Sequence, residues 1–144
     1  MQFPDRTADA RYHREAARQY RAQGDYPMAR LSYFKWVESL RQQNINMDGQ
    51  LEHELAEARR EYTDFVKTDP LYNQIKDAAT AKIGEQPGIL QTELYKLLSN
   101  FEKADIQYAM YFADDHGAVV RTKKGNTYSL SLPQSQKHIN NCCS

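Results

Sequence analysis

Apolar residues recur at helical spacing in three segments of the first half of the chain. The first segment runs from Ala8 to about Arg21 and is rich in alanine, arginine, glutamate and glutamine, which favour helices. Its apolar side is formed by residues three or four positions apart: Ala10, His13, Ala17 and Tyr20. This spacing places them on one face, so we expect an amphipathic helix here.

A tight turn separates this helix from a second one. Gly24 is a helix stop, Asp25 can cap the following helix, and Pro27 stands early in it, where a missing N–H is tolerated. A broad apolar stripe then continues as far as Leu40. The polar segment QQNINMDGQ, residues 42–50, predicts a loop after it.

A third helix is predicted after this loop, with Asp48 as its candidate cap. Its apolar residues again repeat at a spacing of three or four: Leu51, Leu55, Ala58, Tyr62, Phe65 and Val66. The helix should end before Asp69-Pro70, because a residue that precedes proline avoids the α region. The three helices together predict an antiparallel bundle over residues 8–68.

The hairpin AARQYRAQGDYPMARLSYFKWVES resembles a tetratricopeptide repeat unit. Small residues, aromatics and turn residues stand where that repeat places them: Ala17, Tyr20, Gly24-Asp25-Tyr26, Ala29 and Tyr33. His13 replaces the usual tryptophan, and Trp36 stands where a small residue is expected. With its third helix, the segment also looks like the microtubule-interacting and transport domain, a three-helix bundle that binds peptide helices. These resemblances imply a groove for a partner peptide or helix.

Four aromatic residues are the candidates for such a partner surface: Tyr20, Tyr26, Tyr33 and Trp36. Aromatic rings are favoured at protein interfaces, but they also dominate cores, and core packing is the preferred interpretation for any one of them. Self-association of the bundle into a homodimer is equally open.

The second half of the chain predicts three shorter helices. The first begins after Pro70 and ends at the breaker Gln86-Pro87-Gly88. The second is ILQTELYKLLS, which starts at Ile89. After a turn at Ser99-Asn100, the third covers KADIQYAMYFADDH, and Gly117 ends it in the role that glycine fills most readily.

A basic β-hairpin follows the third helix. Two short strands, residues 119–122 and 127–132, flank the turn Lys123-Lys124-Gly125-Asn126. One face of the second strand is formed by alternating residues: Tyr128, Leu130 and Leu132. This alternation is typical of a half-buried strand.

Three helices and a hairpin in this order resemble the winged helix-turn-helix family over residues 70–133. The fold class is therefore expected to be mainly α, with a three-helix bundle followed by a winged-helix domain. The resemblance implies that the third helix enters the major groove of double-stranded DNA and that the wing contacts the backbone or minor groove. Transferred onto this sequence, the helix residues are Asn100, Lys103, Gln107, Tyr108 and Tyr111, and the wing residues are Arg121, Lys123, Lys124 and Asn126.

The charge pattern does not choose between partners. The chain has 19 basic and 19 acidic residues, whereas nucleic-acid binders usually carry a basic excess. The third helix also opens with Glu102-Lys103-Ala104-Asp105 and ends with Asp114-Asp115, and these carboxylates oppose a phosphate backbone. Two hypotheses remain: a nucleic-acid-binding regulator whose bundle dimerises or recruits a partner, and an adaptor in which both modules dock proteins.

The sequence carries no catalytic signature. It has no phosphate-binding glycine loop, nucleophile elbow or H-E-x-x-H motif, so we expect a non-enzymatic protein without a cofactor. Asp114-Asp115-His116 has metal-ligand residue types, but neighbouring helical residues diverge, and no metal is expected. His116 is expected instead to interact with the helix dipole.

Neither a membrane span nor a secretory signal is recognisable, so we expect a cytoplasmic chain without a membrane partner. The polar residues 134–144 are predicted to be a disordered tail. Cys142 and Cys143, which precede Ser144 in this tail, are expected to be exposed free thiols.

Overall fold

The computed structural model describes the backbone of residues 6–133 and the side chains of residues 9–133. Within this range lie helices α1 (Arg6–Ala22), α2 (Tyr26–Asn46), α3 (Glu52–Thr68), α4 (Pro70–Glu85), α5 (Gln91–Leu97) and α6 (Lys103–Asp115), and strands β1 (Ile89–Leu90), β2 (Val120–Lys124) and β3 (Thr127–Ser131). The protein is mainly helical with one small antiparallel sheet. The predictions for residues 134–144, including Cys142 and Cys143, concern residues outside the described range.

The chain divides into two compact units between Asp69 and Pro70, here called the N-terminal unit and the C-terminal unit. None of the described helices is both long and apolar enough to cross a membrane.

In the N-terminal unit, α2 packs against both α1 and α3. The predicted turn between α1 and α2 is confirmed: Gly24 has a φ of 72°, and the Asp25 carboxylate accepts a hydrogen bond from the Met28 N–H at 3.3 Å. Glycine adopts this left-handed conformation without a steric cost, so the chain reverses within two residues.

The core of this unit is built around the Tyr33 ring. It stacks on Phe65 and Tyr62 of α3, with ring centres 4.9 and 5.7 Å apart. Three fully buried alanines let the helix backbones approach closely: Ala17, Ala29 and Ala58. Aromatic bulk at the centre and small residues at the helix crossings therefore hold this unit together.

The predicted loop over residues 42–50 is too long, because α2 continues through Asn46. Asp48 is not the cap of α3: it has a φ of 53° and forms the connecting turn with Gly49, whose φ is 84°. The N-cap position of α3 is Leu51, and its side chain makes no capping hydrogen bond. The prediction of an Asp48 cap is therefore wrong.

The start of α3 is held instead by Asn44, a buried residue inside α2. Its Oδ1 accepts a hydrogen bond from the Leu51 N–H at 2.7 Å, and its Nδ2 donates to the Glu52 Oε1 at 2.9 Å. Its backbone oxygen accepts from the Gly49 N–H at 2.8 Å. One amide thus satisfies both ends of the loop, a role that spacing along the sequence does not reveal.

In the C-terminal unit, α4 begins at Pro70 and ends at Glu85, as the breaker residues predict. The second helix is shorter than predicted, because Ile89 and Leu90 form strand β1 instead of its first turn. They pair antiparallel with β3, Ile89 opposite Leu130 and Leu90 opposite Ser129. The sheet order is therefore β1-β3-β2.

The hairpin turn is also tighter than predicted. Lys123 and Lys124 end strand β2, and only Gly125 and Asn126 form the turn. Gly125 has a φ of 61° at the first central position, as a type II′ hairpin turn requires. On β3, Leu130 is fully buried.

The C-terminal core draws side chains from α4, α5, α6 and β3, and from Val119, which precedes β2. Its largest fully buried residues are Ile75, Ile83, Leu94, Ile106, Met110, Val119 and Leu130. The predicted inward face of α6 is confirmed, since Ile106, Ala109, Met110 and Ala113 are all buried. The opposite face of α6 is therefore turned to solvent.

Candidate functional site

The outward face of α6 brings three of the predicted site residues together. Lys103, Gln107 and Tyr111 are exposed at successive turns, and Asn100 is exposed in the turn before the helix. Tyr108 is half-buried and packs edge to face on Phe112, with ring centres 5.4 Å apart. A mixed basic, amide and aromatic surface results, to which Tyr108 contributes only in part.

Arg121 has a different environment from the one expected of a solvent-facing wing residue. Its side chain is only 12% exposed, and its guanidinium carbon lies 4.0 Å from the centre of the Tyr128 ring and 5.7 Å from that of Tyr111. Its Nε is 3.8 Å from the Asp114 Oδ2. Arg121 therefore links the hairpin to α6.

Two of the carboxylates on α6 are engaged within the unit. Asp114 faces Arg121 and also accepts a hydrogen bond from its backbone N–H at 3.3 Å. Asp115 lies close enough to Tyr72 of α4 to affect its ionisation: burial raises the pKa of Tyr72 to about 12, and the negative charges of Asp115 and Asp77 add to this. The exposed Glu102 and half-buried Asp105 remain in the first turn of α6.

The end of α6 is fixed by a polar contact to α4. His116 is the C-cap residue, and its Nδ1 lies 3.0 Å from the hydroxyl of Tyr72, with the two rings edge to face. The predicted position at the helix C-terminus is confirmed, and the hydrogen bond gives His116 a structural role as well.

The tip of the hairpin presents its cations to solvent. Lys123, Lys124 and Asn126 are exposed, and the Lys123 ammonium lies 5.0 Å from the centre of the Tyr128 ring. The ammonium of Lys103 similarly lies 5.5 Å from the ring of Tyr95. Both amines therefore sit above aromatic faces, which attract cations and still leave the N–H groups accessible.

The four aromatic candidates of the N-terminal unit divide into two pairs. Tyr33 is fully buried and Trp36 nearly so, which favours the core role for both. Tyr20 and Tyr26 are half-buried, and Tyr26 stacks on Phe65 at 6.1 Å between ring centres.

A charged network crosses from α1 to α3 in this unit. The guanidinium of Arg18 donates to both oxygens of the Glu61 carboxylate, with Nε 3.1 Å from Oε2 and Nη2 2.9 Å from Oε1, and the Tyr33 hydroxyl donates to Oε2 at 3.0 Å. Burial alone would raise the pKa of Glu61, but these hydrogen bonds outweigh it and hold that pKa below its ordinary value.

Beside this network lies a groove of about 360 Å³ with walls of opposite charge. The α1 wall carries Arg11, Arg14 and Arg18, and the α3 wall carries Glu54, Glu57 and Glu61. Trp36 and Leu40 of α2 also line it. Sequence reasoning overlooked these walls, although each triplet is spaced by three and then four residues, which puts it on one helix face.

Among the described side chains, no group of three or more histidine, cysteine or acidic residues is placed to hold a metal ion. No family model, curated protein or solved structure matches this chain.

Proposed function

We propose that the C-terminal unit is a winged helix that binds double-stranded nucleic acid, with α6 as the recognition helix and the β2–β3 hairpin as the wing. The order α4-β1-α5-α6-β2-β3 supports this proposal, as does the pairing of β1 with β3. In such an arrangement α6 is free to enter a groove while the wing reaches the backbone.

The observation that carries the proposal is the position of Arg121. It lies between Tyr128 of the hairpin and Tyr111 of α6, so the hairpin tip and the outward face of α6 form one continuous surface. Lys123 and Lys124 would contact phosphates, and Gln107 can read a base edge with its amide. Arg121 positions the wing in this scheme.

The same contact weakens the main electrostatic objection. Asp114 is paired with Arg121, so it is not a solitary charge facing a phosphate. Glu102, Asp105 and Asp115 still oppose one. We therefore expect modest affinity that falls steeply with salt concentration.

The test is a duplex-binding titration over a range of salt concentrations. Lys123→Ala with Lys124→Ala should weaken binding and reduce the salt dependence by about two phosphate contacts. The matched control, Lys76→Ala with Lys82→Ala, removes the same charge from α4 and should bind like the unaltered protein. If the protein binds no duplex even at low salt, the proposal is refuted.

Removing the opposing carboxylates gives the converse test. Glu102→Gln with Asp105→Asn should tighten binding by about threefold to tenfold, because two charges that repel the phosphate backbone are lost. Unchanged affinity would show that α6 is not the contact surface.

A second candidate function, peptide docking by the N-terminal unit, is favoured by the groove with oppositely charged walls. Its occupant would be a helix with acidic residues towards Arg11 and Arg14 and basic residues towards Glu54 and Glu57. Trp36 is the single tryptophan of the chain, so its fluorescence would report binding.

Two designed helical peptides test this candidate. One has the matching charge order, and the other has its acidic and basic flanks exchanged. The first should bind and the second should not, and Arg14→Glu should weaken binding of the first. Failure of the matched peptide to change the fluorescence would reject the groove as a docking site.

A further inference from the structure

The outer face of α2 exposes large apolar side chains. Phe34 is 54% exposed and Ile45 is 60% exposed, while the opposite side of the helix is buried against α1 and α3. Between these two residues lie Glu38 and Arg41, which form an ion pair with Nε–Oε1 and Nη2–Oε2 distances of 3.0 Å. This face therefore reads apolar, acidic, basic, apolar along the helix.

The spacing of these residues is that of a helix-packing seam. Phe34, Glu38, Arg41 and Ile45 are separated by four, three and four residues, the a/d spacing with which one helix packs along another. All four lie on one side of α2, because 3.6 residues make one turn. Among the described residues of the N-terminal unit, no helix covers this side, as the exposure of Phe34 and Ile45 shows.

The order of the four residues is self-complementary. In a second helix of the same sequence running antiparallel, a twofold axis midway between Glu38 and Arg41 places Phe34 of one copy on Ile45 of the other. The same axis places Glu38 of one copy on Arg41 of the other. Antiparallel seams pair a positions with d positions, and all four positions obey that rule here.

We propose that this outer face of α2 binds the same face of a second copy, forming an antiparallel homodimer. The four charges then form one network at the centre, with an apolar contact on each side of it. A partner of unrelated sequence would need this order by coincidence, whereas a second copy supplies it through the twofold axis.

The size of this face indicates how tightly the two copies should bind each other. α2 has 21 residues and is about 30 Å long. A single helix pair buries less than the roughly 1,600 Å² of a standard stable interface, so the dimer should dissociate on dilution through the micromolar range.

This inference goes beyond nucleic-acid binding and stands without it. A twofold dimer would carry two copies of the C-terminal unit, which suits a site with two related halves. Loss of the dimer in an otherwise folded protein would leave the contribution of Lys123 and Lys124 to single-site binding intact, so the two proposals fail separately.

Complementary charge reversals test the register. Glu38→Arg puts arginine opposite arginine, and Arg41→Glu puts glutamate opposite glutamate, so each variant alone should dimerise at least about tenfold more weakly than the unaltered chain. In an equimolar mixture the two variants should restore a heterodimer, because both cross-pairs become attractive. Sedimentation equilibrium with one variant labelled measures this directly.

The double variant Glu38→Arg with Arg41→Glu should also dimerise, since it exchanges both charges together. Glu93→Arg on α5 is the control for a change of net charge and should leave association unaltered. Trp36 fluorescence and circular dichroism verify that each variant is folded. A purely monomeric unaltered chain at several hundred micromolar, or reversed variants that do not recover on mixing, would overturn the proposal.

Discussion

The two units differ in the type of basic residue that predominates and in the contacts that this residue makes. Residues 1–69 contain nine arginines and two lysines, whereas residues 70–133 contain one arginine and six lysines. The arginines of the N-terminal unit include four that pair with carboxylates on the same unit: Arg14 with Glu15, Arg18 with Glu61, Arg30 with Asp69 and Arg41 with Glu38. The single arginine of residues 70–133, Arg121, also lies against aromatic rings and beside a carboxylate.

The difference follows from the chemistry of the two cations. A guanidinium is planar, offers several N–H groups in a fixed geometry and is weakly hydrated, so it can be partly buried against a carboxylate or a ring. An ammonium is strongly hydrated and stays at the surface. In this protein, Arg18, Arg30 and Arg121 link elements within their own unit, whereas Lys123 and Lys124 lie at the surface.

The sharpest test of this comparison is the buried ion pair of the N-terminal unit. Asp69 is fully buried, and its Oδ2 lies 2.7 Å from the Arg30 Nε. Asp69→Ala leaves Arg30 without its closest carboxylate and should lower the free energy of unfolding by about 3 kcal/mol. Denaturant titration followed by Trp36 fluorescence measures this unit alone.

The control for that variant is the exposed pair Lys82–Glu85, whose N–O distance is 3.9 Å. Lys82→Ala should change the stability of its unit by less than about 0.5 kcal/mol. Equal effects of the two variants would contradict the contrast between buried arginine and exposed lysine.

Arg121 should be the most costly basic residue to remove from the C-terminal unit. Arg121→Ala loses the contacts with Tyr128, Tyr111 and Asp114 and should lower the free energy of unfolding by about 1–2 kcal/mol. Hydrogen exchange of peptides from the hairpin and α6 would report the loss. Arg121→Lys keeps the charge but not the stacking, so a full rescue by lysine would argue against the proposed contact.

Acid should weaken the N-terminal unit through Glu61. Its pKa is held below the unfolded value of 4.5, so the stability that it contributes is fully present above that pH and is lost as the pH falls through the lower folded value. Glu61→Gln should lower the free energy of unfolding by about 1 kcal/mol near neutral pH. It should also reduce the further loss of stability at acidic pH. Trp36 fluorescence in denaturant at about pH 6, 5, 4 and 3 would show it. If Glu61→Gln does not reduce the loss of stability at acidic pH, other carboxylates are responsible for that loss.

The smallest expected effect is a gain in stability of the C-terminal unit. Gly84 lies inside α4, and a Cβ there would sit 3.7 Å from the Leu132 Cδ1, an ordinary contact. Gly84→Ala should therefore raise the free energy of unfolding by about 0.5 kcal/mol through helix propensity. Gly125→Ala is its matched opposite and should cost about 1 kcal/mol, because the φ of 61° strains any residue with a Cβ. Hydrogen exchange of α4 and hairpin peptides compares the two.

Local signals predicted most of the helices. The breaker Gln86-Pro87-Gly88, the stop at Gly117 and the spacing of Ile106 and Met110 depend only on near neighbours, and each is confirmed. Ile89 and Leu90 were not predictable in this way. A two-residue apolar run is ambiguous, and its strand partners, Leu130 and Ser129, lie about forty residues further on.

The residues of the candidate site could likewise be predicted only where near neighbours along the chain decide their environment. Lys123 and Lys124 could be identified as exposed cations, because a hairpin tip faces solvent whatever surrounds it. The role of Arg121 could not, since it depends on where Tyr111 and Tyr128 stand in space. The excess of lysine over arginine after residue 69 was the one signal in the sequence that set Arg121 apart. The winged-helix assignment and nucleic-acid binding themselves stay predictions.

The contact between Asp114 and the backbone of Arg121 has a further consequence for aggregation. β2 is an edge strand, and an edge strand with open N–H groups is a template on which another chain can add a strand. The Asp114 Oδ1 occupies the N–H of Arg121, and beyond it Lys123 and Lys124 place positive charge along the same edge. One carboxylate at the end of a helix therefore helps to stop the sheet at three strands and to keep neighbouring molecules from joining it.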